Sequence, residues 1–303
     1  MSVVTRNMDF NLLRALQALL EERSVTRAAE RLGLSQPAVS GALSKLRRHY
    51  DDELLTRVGN SYQLTALAQQ LLEYAAGAAA MADRVFSLQA DFDPATSERA
   101  FTVAVSDYTA TVLGQSLSRL LNERAPRAQL HLQQLAPDVM DRAPESLRSL
   151  DAVVLPHSLL TDVPYQDLLR DEWVCVTAQD NTAVGEELTV EDLNELPWVF
   201  SFRRRTALTT AMRELRIHGV EPRPQIVIES YAALPSFLIG TNRIALIQRR
   251  LTANTTLRVL PCPVQLAPLL LALWWHPSHT ADAGHQWLRQ LFADAEAVAG
   301  HPA

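Results

Sequence analysis

The sequence predicts an α/β protein that begins with a winged helix-turn-helix and a long helix and continues as strands alternating with helices. Three observations carry this prediction. The first 50 residues contain apolar residues at helical spacing, preceded by residues that can cap a helix. A longer series follows in which apolar residues recur at alternating intervals of four and three. Short apolar runs typical of buried strands then alternate with helical segments from Phe101 onwards. The order of these patterns indicates two kinds of domain in one chain.

Three short helices are predicted at the N-terminus. Apolar residues at helical spacing from Phe10 mark the first helix, and Ser24 is placed to cap a second helix that Gly33 ends. Ser35 is placed to cap a third helix with Pro37 in its first turn, where the missing amide of proline costs nothing. Two short helices joined by a glycine-containing turn are the sequence form of a helix-turn-helix, which binds DNA.

A hairpin and a long helix follow. The run Leu54–Leu64 contains a Gly-Asn turn between two short strands, which predicts the wing. An apolar seam of helical period then favours a partner helix, and we expect dimerisation through it. The alternative is a helix that packs on its own domain, because nearby alanines allow close approach. The seam consists of Leu67, Leu71, Tyr74, Ala78, Met81, Val85 and Leu88.

The segment Asp91–Ser97 is polar, contains a proline and is expected to be a linker. Beyond it the alternation of strands and helices predicts a mostly parallel sheet that is covered on both faces. The expected strands are Phe101–Val105, Leu130–Leu135, Ala152–Leu155, Trp173–Thr177, Trp198–Phe202, Gln225–Ile228, Ile244–Ile247 and Leu269–Trp275. The expected helices are Thr111–Arg124, Pro144–Leu150, Thr206–Gly219, Ala232–Gly240 and Thr280–Ala299.

Charge and composition narrow the class of protein. The formal charge of −6 argues against indiscriminate binding of nucleic acid, yet the stretch from Arg23 to Arg57 is net positive and holds Lys45, the only lysine. We expect this stretch to contact phosphate; the alternative is a solvated helix face. The two cysteines, Cys175 and Cys262, are interpreted as small buried apolar residues. The chain shows neither a membrane-spanning run nor the order of a signal peptide, so a cytoplasmic location is expected.

Several runs together carry a family resemblance. They closely resemble LysR-type transcriptional regulators, and two further segments resemble the branch that contains nodulation and aromatic-degradation regulators. The runs of the first set are Phe10-Asn11-Leu12-Leu13, Ser24–Leu32, Leu34–Ser40 and Leu64-Thr65. The two further segments are Tyr50–Leu55, and Trp275–Pro277 with His285–Arg289.

This resemblance implies a two-lobed, periplasmic-binding-protein-like (type 2) effector domain whose chain crosses twice between the lobes. The implied division is a DNA-binding domain at residues 1–65, a linker helix and hinge at 66–97, and an effector domain at 98–303. Lobe I would hold residues 98–165 and 268–303, and lobe II residues 166–267. The resemblance also implies a homotetramer and effector-dependent activation with autorepression. Double-stranded promoter DNA, a small-molecule effector and RNA polymerase are the expected partners, with no cofactor, metal or membrane.

The third helix is expected to enter the major groove of DNA. Gln36 can pair bidentately with adenine, whereas Lys45 and Arg48 suit phosphate. The alternative for each residue is an exposed side chain without a contact. The full set of candidate DNA-binding residues is Arg27, Ser35, Gln36, Pro37, Ala38, Ser40, Ser44, Lys45, Arg48 and Arg57.

Effectors of two-lobed α/β domains bind where strand ends meet helix N-termini. Ser106 and Thr109 follow the first strand of this part, so their hydroxyls and nearby amides are expected to hold a carboxylate. Phe202 offers an aromatic wall, and Arg203, Arg204 or Arg205 an anion partner. We expect a small aromatic or carboxylated effector; the alternative is that the serines only cap helices. The candidates are Ser106, Asp107, Thr109, His157, Ser158, Ser201, Phe202, Arg203 and Ser230.

Other classes of protein have weaker support. The sequence contains no G-x-S-x-G motif, no Gly-rich phosphate loop and no acid pair at defined spacing, so an enzyme is not expected. His276, His279 and His285 lack the spacing of metal ligands. A solute-binding protein shares the two-lobed fold but has no use for the first 90 residues.

Overall fold

The computed structural model describes residues 10–59, 61–87, 91–135, 146–157, 159–201 and 210–300, with side chains at all of these positions except 73, 80, 83, 84, 86, 87, 210 and 254. It divides into two compact units, Met1–Gln89 and Ala90–Ala303.

The N-terminal unit begins with three helices: α1 (Phe10–Glu22), α2 (Val25–Leu32) and α3 (Gln36–Tyr50). The predicted caps are confirmed, since the Ser24 hydroxyl accepts from Arg27 N and the Ser35 hydroxyl from Ala38 N. Gly33 ends α2 at φ 63°, a backbone conformation that glycine adopts without strain. The predicted helix-turn-helix is therefore present.

The wing is a two-stranded hairpin of β1 (Leu55–Val58) and β2 (Ser61–Leu64), in which Val58 is opposite Ser61. The long helix α4 (Ala66–Ser87) follows. Ala68 and Ala75 of α4 are buried in the core that α1 contributes to, so one side of α4 does pack on its own unit. Part of the predicted seam remains exposed, including Tyr74 at 78% and Val85 at 60%. Leu88 lies outside the described residues.

The second unit contains two five-stranded sheets, which we call lobe I and lobe II. Lobe I has the strand order β4-β3-β5-β12-β6, and lobe II has the order β11-β7-β10-β8-β9. The strands of lobe I are β3 (Ala100–Val105), β4 (Gln129–Gln134), β5 (Ala152–Pro156), β6 (Tyr165–Asp171) and β12 (Leu269–Trp274). Those of lobe II are β7 (Trp173–Thr177), β8 (Pro197–Ser201), β9 (Arg223–Ile228), β10 (Ile244–Gln248) and β11 (Arg258–Pro261).

The chain crosses between the sheets twice, after β6 and after β11, as expected of a two-lobed effector domain. Each crossing delivers a strand that runs antiparallel to its neighbours: β7 in lobe II and β12 in lobe I. The remaining described pairings, β3 with β4 and β5, and β8 with β9 and β10, are parallel. The expected mostly parallel arrangement is thus broken only by these two strands.

Four described helices belong to this unit: α5 (Asp107–Arg124), α6 (Val190–Glu195), α7 (Thr210–Ile217) and α8 (Ala283–Ala299). Helix α5 begins four residues before the predicted start, because the Ser106 hydroxyl accepts from Thr109 N. Helix α8 begins three residues after the predicted start, because the Asp282 carboxylate caps it. No described helix has both the length and the apolar character that a membrane crossing requires.

Three expectations differ from the structure. The expected helix Ala232–Gly240 is only a 3-10 turn, Leu234–Phe237, closed by bonds such as Leu238 N to Pro235 O, because Pro235 disfavours the α-helical backbone at the residue before it. Lobe I was expected to end at Tyr165, but β6 pairs with β12 of lobe I, so the chain first crosses to lobe II at Glu172. Cys175 is buried as interpreted, whereas Cys262 is only partly buried, and both are free thiols. The expected helix at residues 144–150 and the start of the one at 206 fall partly outside the described residues.

The start of α8 is packed closely against the beginning of the second unit. Arg99 forms ion pairs with Asp282 at 2.8 Å and Asp151 at 3.3 Å. Burial alone would raise the pKa of Asp282, but hydrogen bonding and charge from Arg99 outweigh it and lower the pKa. A Cβ at Gly284 would lie 2.5 Å from Arg99 Nη1 and 3.0 Å from the Phe92 ring, so a side chain here would push the Arg99 guanidinium out of its place between Asp282 and Asp151.

We predict that Gly284→Ala lowers the free energy of unfolding of the second unit by about 1–3 kcal/mol, because the added methyl forces Arg99 and Phe92 apart. All five tryptophans lie between Trp173 and Trp287, so tryptophan fluorescence during denaturation reports on this unit alone. Gly114→Ala in α5 is the matched control: a Cβ there meets nothing within 4 Å, and alanine should stabilise the helix by roughly 0.5–1 kcal/mol. Equal effects of the two variants would contradict the packing argument.

Candidate functional site

The exposed face of α3 is the first candidate site. Val39, Leu43 and Leu46 are buried and fix the helix in the core of the N-terminal unit. The opposite side carries small and polar residues near the N-terminus of α3 and basic residues further along. These exposed side chains are Gln36, Pro37, Ala38, Ser40, Ser44, Lys45 and Arg48. The face has the shape that entry into a major groove requires, since short side chains let the backbone approach the bases.

Two predicted contact serines on α3 already take part in local hydrogen bonds. Ser35 Oγ accepts from Ala38 N at 3.4 Å, and Ser44 Oγ donates to Ser40 O at 3.0 Å. The Ser35 hydroxyl still has its proton free to donate, because as a cap it only accepts. Ser35 is thus available to a phosphate oxygen, whereas Ser44 would have to give up its bond to Ser40.

The basic side chains of the N-terminal unit fall into two groups. Arg27 donates to Glu22, and Arg31 pairs with Glu21 and Glu22. Arg47 donates to the carbonyls of Glu53 and Leu55 and so ties α3 to the wing. These three arginines therefore already have partners within their own unit. Lys45 and Arg48 are exposed and have no ion-pair partner among the described residues.

Arg57 extends from the wing. Its Nε donates to the carbonyl of Gly59 at 3.2 Å, so the side chain folds back over the turn of the hairpin. The residue is exposed, and its other guanidinium nitrogens can still reach a phosphate. Arg57 is therefore an exposed basic side chain on the wing.

The second candidate site lies where α5 of lobe I meets the loop after β9 of lobe II. Ser106 caps α5, and its hydroxyl also lies 3.1 Å from Thr109 Oγ1. Asp107 Oδ2 accepts from Ser230 Oγ at 2.7 Å and from Ala232 N at 3.0 Å. Four of the predicted effector residues, Ser106, Asp107, Thr109 and Ser230, are thus brought together across the two lobes.

The predicted carboxylate-binding position at the N-terminus of α5 is already filled by the protein. The amide of Tyr108 donates to Asp107 Oδ1 at 2.9 Å, and the amide of Thr109 donates to Ser106 Oγ at 3.2 Å. A ligand carboxylate would have to displace one of these bonds. The N-terminal amides of α5 therefore do not form the open anion site that the sequence suggested.

Sequence reasoning missed a buried pair at the first crossing between the lobes. The Tyr108 hydroxyl donates to Asp171 Oδ2 at 2.6 Å, and both residues are buried. Asp171 also accepts from Arg250 N and Glu172 N, so donors from both lobes meet at one carboxylate. Burial, followed by the charge of Asp171, raises the pKa of Tyr108 far above its usual value and keeps the hydroxyl protonated. Nothing in the sequence around Asp171 marks this role.

The other predicted effector residues are placed differently. His157 packs against the rings of Tyr165 and Trp274 and lies 3.4 Å from Asp167. Ser201 ends β8 and lines a cavity of about 20 Å³ with Trp198, Phe200 and Tyr231. That volume holds about one water and is far below the roughly 150 Å³ of a cavity that binds benzene. Ser158, Phe202 and Arg203 lie outside the described residues.

The three C-terminal histidines belong to the packing of lobe I. His285 is buried, its Nε2 lies 2.9 Å from the carbonyl of Asp151, and its ring stacks on His279. Burial lowers the pKa of His285 to about 4, so the ring is neutral at physiological pH. Within the described ranges, no group of three or more His, Cys, Asp or Glu side chains is arranged to hold a metal ion.

Comparison with known proteins adds a second line of evidence. Residues 10–69 match the family profile described as "Bacterial regulatory helix-turn-helix protein, lysR family". Residues 95–297 match the profile described as "LysR substrate binding domain". Together the two profiles span nearly the whole chain.

Curated relatives and solved structures agree with these profiles. Nodulation protein D 2 of Rhizobium tropici is 30% identical over 94% of this chain and 92% of its own length. Nodulation protein D 2 of Sinorhizobium fredii is 32% identical over 94% and 93%. A "probable transcriptional regulator" from Pseudomonas aeruginosa is 26% identical, with a TM-score of 0.71 over 95% of this chain and 97% of that one. Full-length CbnR in complex with its target DNA shares the fold, with 17% identity and a TM-score of 0.67 over 96% and 100%.

We predict that Tyr108→Phe destabilises the second unit by about 1–3 kcal/mol, because the buried Asp171 carboxylate loses its side-chain donor. Tyr165→Phe is the control, since the Tyr165 ring is half exposed and no hydrogen bond to its hydroxyl is described; a change within about 0.5 kcal/mol is expected. Urea denaturation followed by tryptophan fluorescence measures both. A Tyr108→Phe variant as stable as the wild type would remove the role given to this pair.

Proposed function

This chain belongs to the LysR family of bacterial regulatory proteins, and from that premise we propose that it activates transcription in response to a small molecule and represses its own gene. The effector is a small aromatic or carboxylated molecule, and it binds between lobe I and lobe II. Activation with autorepression is the mode that the family resemblance implies. The DNA-binding helix-turn-helix and the effector-binding domain are the two parts through which the protein acts.

The observation that carries this proposal is the exposed face of α3. Lys45 and Arg48 remain unpaired among the described residues, while three neighbouring arginines are bound to carboxylates or carbonyls of their own unit. A cation with no internal partner is free to replace the counterions of a phosphate, which supplies much of the affinity for DNA. Gln36 is exposed at the first residue of α3, more than two turns before them, where we propose that its amide reads a base edge.

The proposed assembly is a dimer through α4 and a homotetramer through further contacts of the effector domain. The exposed part of the seam supports the first step, because Tyr74 and Val85 leave apolar surface open on a helix whose other side is already packed. A dimer places two copies of α3 on dyad-related half-sites of promoter DNA. The proposal includes a cytoplasmic location, which was expected from the sequence patterns, and a contact with RNA polymerase, which the family resemblance implies.

The effector part of the proposal rests on the convergence of the lobes at Ser106, Asp107, Thr109 and Ser230. Hydroxyls from both lobes meet there, at a helix N-terminus and a strand end. A ligand that binds both lobes alters their relative position, and it changes DNA binding only if it binds one arrangement better than the other. Ser201 and the residues after it, including Phe202 and Arg203, are proposed to complete the site.

We predict that Lys45→Ala weakens binding to every DNA sequence and reduces the slope of log affinity against log salt by about 1, because one phosphate contact is lost. Gln36→Ala should instead lose about 1–3 kcal/mol of discrimination at one base pair and leave the salt slope unchanged. Fluorescence anisotropy on the promoter of its own gene and on single-base variants measures both. Arg119→Ala, on the exposed surface of α5, is the charge-matched control.

The two DNA-binding variants have separate outcomes. An unchanged base preference in Gln36→Ala would remove the base-reading role of that residue. A salt slope in Lys45→Ala equal to that of Arg119→Ala would remove the phosphate contact.

We predict that Val85→Glu raises the dissociation constant of the dimer at least about tenfold, because a carboxylate would be buried in an apolar seam. Gln69→Glu adds the same charge to the same helix on the side away from the seam, and it should leave the dimer intact. Analytical ultracentrifugation of both variants makes the comparison. Equal dissociation constants would place the dimer contact elsewhere on the protein.

A further inference from the structure

The turn formed by residues 230–233, which we call the Ser230 turn, has the donors of a small anion site. Ser230 Oγ and Ala232 N both point at one oxygen, Asp107 Oδ2, at 2.7 and 3.0 Å. Ser230 Oγ is itself oriented by the amide of Ala233, from which it accepts at 3.0 Å. A hydroxyl and a backbone amide that converge on a single oxygen are the donor set that binds carboxylates in many proteins.

The oxygen that fills this site belongs to the other lobe. Asp107 is the first residue of α5 in lobe I, whereas the Ser230 turn follows β9 of lobe II. The positive end of the α5 dipole stabilises the Asp107 charge, and Tyr108 N donates to its second oxygen, Oδ1. No ion pair joins Asp107 to a basic side chain of the described residues. Among the described residues, the donors that offset the negative charge at this point of the cleft are two amides and a hydroxyl.

We propose that Asp107 is an internal anion that occupies the carboxylate position of the Ser230 turn, so that the cleft accepts uncharged or cationic effectors there and excludes carboxylates. This inference rests on the proposed function in one respect, that the effector binds between the lobes. It narrows the effector class, because a ligand carboxylate would have to displace Asp107 and then lie beside its charge. Two carboxylates that share one site disfavour each other's charged form.

The proposal can be tested by removing the Asp107 carboxylate and offering a free carboxylate in its place. Removing the Asp107 carboxylate leaves the two donors of the Ser230 turn unpaired, and a free carboxylate of the right size should bind in its place. Acetate is the probe, and acetamide is its uncharged isostere. The full-length chain is melted in increasing sodium acetate, with sodium chloride added to hold the ionic strength constant, and tryptophan fluorescence reports on the second unit.

Asp107→Ala is expected to lower the Tm of the second unit by about 3–6 °C, because the bonds to Ser230 and Ala232 are lost. Acetate should restore at least half of this loss in a saturable way, and acetamide should restore none of it. The wild type should not respond to acetate beyond the chloride control, because its site is filled. Asp107→Ala combined with Ser230→Ala should lose the acetate response. Glu191→Ala removes a carboxylate from the first turn of α6 and should show no response.

Two results would overturn the proposal: an acetate response in the wild type equal to that of Asp107→Ala, or no acetate-specific response in Asp107→Ala. If Asp107→Ala does not fold, Asp107→Ser carries the same test, since its shorter side chain also vacates the carboxylate position. These experiments measure the stability of the second unit and not DNA binding, so their failure can be distinguished from failure of the proposed function. If Asp107→Ala responds to acetate but no ligand changes DNA binding by the wild type, the role of Asp107 as an internal anion stands. The proposed binding of an effector in the cleft would then be wrong.

Discussion

A hydrogen bond from a backbone amide to the serine hydroxyl three residues before it recurs at the start of each segment that carries a candidate function. Ser24 and Ser35 accept in this way from Arg27 and Ala38, at 3.4 Å each, and begin the two helices of the DNA-binding motif. Ser106 and Ser230 accept from Thr109 and Ala233, at 3.2 and 3.0 Å, on the two sides of the cleft. These caps fix where α2, α3, α5 and the Ser230 turn begin, and so help to position the side chains that these four segments carry.

This use of serine changes how candidate contacts are interpreted. Ser35, Ser106 and Ser230 are each expected from the sequence to touch a ligand, yet one lone pair of each hydroxyl already holds a turn in place. The Ser35 proton remains available to a partner, Ser106 shares a hydrogen bond with Thr109 in which either hydroxyl can donate, and Ser230 donates its proton to Asp107. The alternatives of capping and contact are therefore compatible, since a hydroxyl can accept from its own backbone and donate to a partner.

The sequence predicts interactions between residues that are close in the chain, and it does not predict those between residues that are far apart. The caps of α2 and α3, the Gly33 turn and the wing depend on contacts within a few residues, and the sequence predicts all of them. Tyr108 and Asp171 are 63 residues apart, and Asp107 and Ser230 are 123 apart, so no local pattern indicates either pair. Strand β6 was missed because Leu168 and Leu169 are both buried, which breaks the alternating pattern of a strand, and because its pairing partner β12 lies about 100 residues later in the chain. Family resemblance supplied the two lobes and the two crossings, but not the atoms that join them.

The central claim is that α3 presents its exposed face to a specific DNA sequence. Fluorescence anisotropy of the full-length protein on DNA from upstream of its own gene, against scrambled DNA of equal length, tests this most directly. The account predicts affinity at least about 1,000-fold higher for the upstream DNA at physiological salt, with both affinities falling as salt rises. Equal affinity for the two DNAs at every salt concentration would contradict it.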